Sequence, residues 1–458
     1  MRIKSDTYNI IQLGIAFLFI TFAFNSQGFI QQTIINEKNT AGVVSKHAGY
    51  ISSSIIYGVF TVCNFFAAPI VEMLGPKVSM VISACFYALF ECGFLFLNEP
   101  FLYISSALVG VAASLISTAQ GKYMAMNSTK ETATLHSGVF LGIAQTCITG
   151  GGIFLYFAFR NLKKDDIISD STIRLVYGIC IVVTVMGGIV LLLLRNSSTN
   201  LQSSTENNPH AARTMTFVQR MKSTYRLLMT KRMIFLAISF AYTGIGLSFW
   251  TGIYPTSISF TERLASNTKT ILAFNAMAQG LGQMTAGFLF GIVHEITRRF
   301  GRTRIVFLGL AVHLISYVAI YLNFPSDAPL DKTEDEGVIK PPSPVIAVVC
   351  GYLLGFGDAC WHTQICALLI SMYNKRSAEA FSLYKLFQSL TTATSYLYAT
   401  KFKMELHMLV LVVTGIFGFA GFLLGERLPI TAEEEQYKAD STDDKDQHKI
   451  ASVVEEEQ

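Results

Sequence analysis

Asp358 and His362 stand four residues apart in an apolar stretch, so they share one face of any helix formed there. Gly355, Gly357 and Gln364 interrupt the same stretch, and Lys385 and Gln388 interrupt the next one. At about 1.5 Å per residue, Asp358 falls roughly 20 Å from the outer end of its helix, and Lys385 about 13 Å from the inner end of the next. In an apolar layer about 30 Å thick those depths nearly coincide. An acid, a base and an imidazole at one depth can form an ion pair, gate a path or pass a proton. The same trio can equally serve as a buried structural brace.

Other polar groups interrupt apolar runs elsewhere. Glu91 lies among Phe86, Tyr87, Phe90 and Phe94, where a carboxylate must be neutral, paired or facing a wet cavity. Asn25, Ser26 and Gln27 are contiguous, Gln120 is followed by Lys122, and Gln279 and Gln283 share a helix face. Each is a candidate for lining a cavity or coupling an ion, with helix-to-helix hydrogen bonding as the plainer role.

Enzyme chemistry has no carrier here. There is no His-Glu-x-x-His zinc motif, no Gly-x-Ser-x-Gly elbow and no phosphate-binding loop. The eight cysteines lie in or near apolar runs and read as buried small hydrophobes, with no zinc pair or disulfide framework. No cofactor is expected. The net charge of +4 and the lack of a basic patch with interleaved aromatics exclude a nucleic-acid partner.

These residues need elements that hold them at depth. The chain is 51% hydrophobic and only 14% charged, against about 25% charged in a soluble domain, so its solvent is the lipid bilayer. Apolar runs long enough to span occur at 8–30, 49–73, 78–97, 101–126, 134–160 and 173–194. Six more follow at 233–260, 270–294, 304–323, 344–371, 377–398 and 404–425. Backbone amides in lipid must be satisfied internally, so these are helices, and none shows the alternation of barrel strands. The first reads as an uncleaved span rather than a signal peptide.

Loop charges test that count. With Arg2 and Lys4 inside, the inner loops carry Lys77, then Arg195 to Arg232, then Arg298, Arg299, Arg302 and Arg304, then Lys375 and Arg376. This bias puts both termini in the cytoplasm. The cellular membrane, plasma or internal, stays open. Four regions result: a six-helix half at 1–195, a linker at 196–232, a second half at 233–427 and an acidic, disordered tail at 428–458. Within the linker, 216–229 reads either as a basic amphipathic helix on the membrane surface or as polar linker. Residues 324–343 are an aqueous loop.

Several motifs carry a family resemblance. Gly75-Pro76-Lys77-Val78-Ser79-Met80, Ala119-Gln120-Gly121-Lys122-Tyr123 with Met126-Asn127-Ser128, and Gly355-Phe356-Gly357-Asp358-Ala359-Cys360 leading to Thr363-Gln364 resemble signatures of the Unc-93-like family, a branch of the major facilitator superfamily. Ala241-Tyr242-Thr243-Gly244 and Phe324-Pro325-Ser326-Asp327-Ala328-Pro329 narrow the resemblance to one subgroup. It runs from about Tyr8 to Gly425 and implies an all-α fold of twelve transmembrane helices in two six-helix halves. It also implies a cytoplasmic gate, echoed weakly by Glu72, Gly75 and Lys77 and more fully by Gly291, Arg298, Arg299, Gly301 and Arg302.

Two functions follow. One is a secondary transporter of an unknown small solute, facilitative or coupled to a proton or other ion. The other is a non-transporting regulatory or trafficking subunit for a membrane channel or receptor, as relatives in the resembled family are described. The expected topology puts the sequons Asn127-Ser-Thr and Asn196-Ser-Ser in the cytoplasm, so both should stay unglycosylated. Glycosidase treatment of protein from a secretory-competent cell should leave its mobility unchanged. Sugar on Asn196 would overturn the orientation.

Overall fold

Gly75 and Gly301 adopt the same uncommon backbone conformation, φ 81° and ψ 153° at one, φ 84° and ψ 148° at the other. That region is open essentially to glycine alone. Gly75 sits at the sharp turn between the second and third long helices, and Gly301 immediately before the ninth. A turn recurring at a spacing of six helices is the local mark of a repeated six-helix unit.

The computed structural model describes residues 5–40, 45, 48–95, 97–159, 170–195, 217–266, 268–292, 300–399 and 401–428. Residues 196–216 of the linker, the tail beyond 428, and Arg298 and Arg299 lie outside that set.

The spans are helices Ser5–Thr40, Ala48–Leu74, Pro76–Gly93, Glu99–Met126, a fifth made of Ala133–Ala144 and Thr146–Phe159, and Asp170–Leu192. The second set begins with Lys231–Ser248, a π turn Phe249–Ile253 and Tyr254–Phe260, which together form the seventh. Thr268–Ile292, Arg302–Asn323, Pro344–Met372, Ser377–Ala399 and Met404–Arg427 complete it. The starts have sequence reasons. Asn98, Thr230 and Ser343 cap their helices by accepting from the amides of Phe101, Met233 and Ile346, and Pro100 and Pro344 occupy the first turn, where no N–H is needed. Pro255 has no N–H to offer one turn back, and the widened π turn absorbs the mismatch.

Among the described residues, nine helical segments are long and apolar enough to cross a membrane on length and hydropathy alone. The third, eighth and eleventh spans fall short. They carry Lys77 and Glu91, then Asn275, Gln279 and Gln283, then Glu379, Lys385 and Gln388. Polarity lowers their hydropathy without shortening them.

The halves meet along two seams, the second span against the eleventh and the fifth against the eighth. Adding six to the second and subtracting six from the eleventh turns one seam into the other, as a two-fold relation between repeats requires. Both seams are tight. A Cβ on Gly280 would fall 2.4 Å from Thr149 Oγ1, and one on Gly287 2.6 Å from the Gly142 amide nitrogen. An even number of spans puts the start of the first and the end of the twelfth on one face, called here the terminal face. On the opposite face, residues 324–343 are irregular yet anchored. The Thr333 carbonyl accepts from the Glu262 amide and its N–H donates to the Phe260 carbonyl at the end of the seventh span, and Lys403 pairs with Asp327 at 3.0 Å.

A Cβ on Gly75 or Gly301 would meet nothing within 4 Å, so any penalty for alanine there is conformational. Gly75→Ala and Gly301→Ala should each lose about 1–3 kcal/mol of stability. A thermal-denaturation series on purified protein should show similar losses for both; indifference at either would place that turn in an ordinary conformation.

Candidate functional site

Between the halves lies a cavity of about 70 Å³, lined from the fourth and fifth spans by Gln120, Ser137, Phe140 and Leu141, and from the tenth and eleventh by His362, Lys385 and their neighbours. It has room for a few water molecules. Beneath it, towards the terminal face, the halves close on each other. Phe381 lies against Gly121, where a Cβ would fall 2.1 Å from its ring, and Asn374 donates to the Ala125 carbonyl at 2.9 Å.

The imidazole of His362 organises the cavity wall. Its Nδ1 is 2.5 Å from the Tyr384 hydroxyl, and its Nε2 is 3.3 Å from Gln388 Nε2 and 3.6 Å from Asp358 Oδ1. Lys385 donates to Gln388 Oε1 at 2.7 Å, and its ammonium lies 4.7 Å from the Tyr384 ring centroid. An ammonium only donates, so it fixes which way the Gln388 amide points. The Gln388 NH2 then faces His362 Nε2 and Thr243 Oγ1. That favours a neutral imidazole accepting at Nε2 and donating from Nδ1 to Tyr384. Protonating Nε2 requires the amide to move aside, leaving the new N–H facing Asp358.

Asp358 itself is 4% exposed and accepts from Gln283 Nε2 at 2.9 Å. The Trp250 indole, raised on the π turn, lies beside the same carboxylate. Sequence depth allowed a direct Asp358–Lys385 ion pair. Among the described residues none is formed, and the connection runs through His362 and Gln388 instead. Lys385 is held by Gln388, one turn along its own helix.

Other candidates fall into separate places. Glu91 is 0% exposed and accepts from Thr184 at 2.9 Å, within the packing of the third and sixth spans; it does not line the cavity. Asn25 donates to Cys147 at 3.5 Å, tying the first span to the fifth, and Gln27 is buried nearby in the first half. Gln120 reaches the cavity and contacts Met124 Sδ. Gln279 is buried on the eighth span, and Gln364 is buried with neither amide atom hydrogen-bonded among the described residues.

Lys122 turns away from the cavity and pairs with Glu72 at 2.6 Å, at the terminal face. Arg220, on the short helix Phe217–Leu228, approaches the same carboxylate at 3.5 Å. From the other half, Arg376 donates to the Ser223 carbonyl at 2.7 Å and pairs with Glu379. The linker helix therefore touches both halves. Lys77 makes no ion pair among the described residues. Gly291 closes the eighth span, and Arg302 lies near Glu426.

One buried group was missed in the sequence. Tyr242 is 2.6 Å from His313 Nδ1 and 3.1 Å from the Tyr317 hydroxyl, with His313 Nε2 on the Leu354 carbonyl. His313 inside the ninth span is an ionisable residue at membrane depth and was the available signal. Its partners are tyrosines, which ordinary spans contain freely.

The profile described as "Ion channel regulatory protein UNC-93" matches residues 40–423. The chain is 34% identical to UNC93-like protein MFSD11 of Xenopus tropicalis over 91% of this chain and 95% of that one. It is 22% identical to protein unc-93 homolog A of Bos taurus, covering 89% and 91%. Among solved structures it resembles the major facilitator superfamily transporter FucP in the outward conformation, with a TM-score of 0.65, 12% identity and 92% and 99% coverage. The proton:xylose symporter XylE bound to 6-bromo-6-deoxy-D-glucose gives 0.63 at 16% identity, covering 92% and 95%. Twelve spans in two seamed halves are thus the major facilitator fold, and the chain belongs to the UNC-93 family.

Proposed function

We propose that the chain is a secondary transporter of major-facilitator type. A small solute moves through the cleft between its halves, and its movement is coupled to protonation at the Asp358–His362 pair. The cavity wall carries this reading: Lys385, Gln388, His362 and Asp358 form one connected polar set, open on one side to a space that both halves line. Such a set can exchange a proton only by rearranging its hydrogen bonds. That supplies the link between charge and conformation which coupling needs. The contacts between Phe381 and Gly121 and from Asn374 to Ala125 support a state closed at the terminal face, in keeping with the outward conformation of the FucP neighbour. With both termini cytoplasmic, this state faces outward.

A second reading rests on cavity size. About 70 Å³ is well below the roughly 300–1,000 Å³ of ordinary ligand sites. A bundle that never opened further would hold water only and could serve as a regulatory subunit for a membrane channel, the role in the family's description.

Proteoliposome uptake across panels of sugars, amino acids and organic acids separates the two. Transport driven by a pH gradient is expected, with Asp358→Asn losing at least tenfold in driven uptake. Gln388→Leu, which frees Lys385 from His362, should shift the pH dependence of the remaining flux. Wild-type protein that moves nothing, yet co-purifies stoichiometrically with a defined channel subunit, would defeat the transporter reading.

A further inference from the structure

Asn275, Gln279 and Gln283 recur every four residues on the eighth span, so they form a ladder on one helix face. All three are buried, at 1%, 4% and 0% exposure. Among the described residues each keeps one polar atom without a hydrogen-bond partner: Asn275 Oδ1, Gln279 Nε2 and Gln283 Oε1. An unpaired buried amide group is costly, so three in a row need an explanation.

Their placement supplies one. The helix carrying the ladder packs on the tenth span where that helix is stripped to glycine: a Cβ on Gly351 would fall 2.1 Å from Asn275 Oδ1, and one on Gly355 2.1 Å from the Gln279 backbone carbonyl oxygen. Successive rungs rise about 6 Å, the length of two hydrogen bonds, so one water between neighbours would satisfy both. The ladder begins two turns inside the helix start at Thr268, on the face opposite the termini. It ends where Gln283 donates to Asp358 at 2.9 Å. Beyond Asp358 come His362 and the cavity.

We propose that this ladder is the proton's route to Asp358 from the face opposite the termini, separate from the path of any solute. It rests on the coupling role given to Asp358 above, but it requires no solute for its test. Around that carboxylate the eighth span offers only amides. The seventh offers Tyr242 and the Trp250 indole, and the ninth Tyr317. The eleventh offers Tyr384 and Lys385, and the tenth itself His362 and Cys360. Gln120 and Ser137, from the fourth and fifth spans, line the cavity and do not titrate.

The chain contains only two tryptophans, Trp250 beside Asp358 and Trp361 one helical turn from it. Intrinsic fluorescence therefore reads the site directly. In vesicles of known insertion orientation, a stopped-flow pH jump on the face opposite the termini should shift the emission. A jump on the terminal face should do so at least tenfold more slowly. Asp358→Asn should abolish the response. Asn275→Leu combined with Gln279→Leu should slow it at least tenfold while leaving the endpoint unchanged, which also shows that the variant is folded. A response arising first from the terminal face, or surviving Asp358→Asn, overturns the proposal in the wild type and single variant alone. An unslowed double variant overturns the ladder as the route. Failure to find a transported solute would leave this result standing, so the two readings fail separately.

Discussion

A carboxylate buried at the middle of a membrane finds no hydrogen-bond partner in lipid, and Asp358 imposes that need on the helices around it. Its nearest donor is on the eighth span, so the eighth and tenth spans must approach until Gln283 is within 2.9 Å. Such closeness leaves no space for side chains between them. A Cβ on Gly282, Gly351 or Gly355 would fall 2.1 Å from an atom of the facing helix. The glycines thus follow from the polar site as much as from general packing. Small residues let helices close in lipid, where apolar burial gives little drive for association.

The same need separates the halves in character. Glu91 in the first half is enclosed by aromatic neighbours and reaches one hydroxyl, so it serves the packing of a single bundle. In the second half the polar contacts run from Gln283 through Asp358, His362 and Gln388 to Lys385 and end in the cavity wall. The first half contributes Gln120, Ser137 and aromatic or aliphatic surface to that cavity. At the cavity the second half holds the titratable groups and the first supplies the facing wall.

Much of this was legible in the sequence, for reasons of scale. Helices of 18 residues or more leave long apolar stretches, and most predicted spans begin and end within three residues of the observed helices; the first runs further, to Thr40. The third, eighth and eleventh were recognised as apolar runs although their hydropathy is depressed, and the alternation of loop charges agrees with counting them. Depth was legible too, since it is a count of residues. Pairing was not. Lys122 follows Gln120 by two residues, and a helix points such neighbours to different faces, one to the cavity and one to Glu72. The insertion of His362 and Gln388 between Asp358 and Lys385 depends on rotation of two helices about their axes, which a count along the chain does not give.

The linker helix Phe217–Leu228 gives the closed terminal face its mechanical character. Its Arg220 approaches Glu72 on the second span, and its Ser223 carbonyl accepts from Arg376 near the eleventh. Those two spans form one of the seams between halves, so the helix bridges a line along which the halves already touch. Parting the fourth and fifth spans from the tenth and eleventh would enlarge the cavity towards the terminal face. The seam would then act as the pivot, and the bridge across it would shear rather than stretch. A carboxylate held by two cations suits shear, because Glu72 can lose Arg220 and keep Lys122. Partly exposed pairs of this kind contribute about 1 kcal/mol or less each, little enough to yield during a conformational change. The stronger restraint is steric: the Phe381 ring, seated where Gly121 has no side chain, must leave before the fourth and eleventh spans can separate.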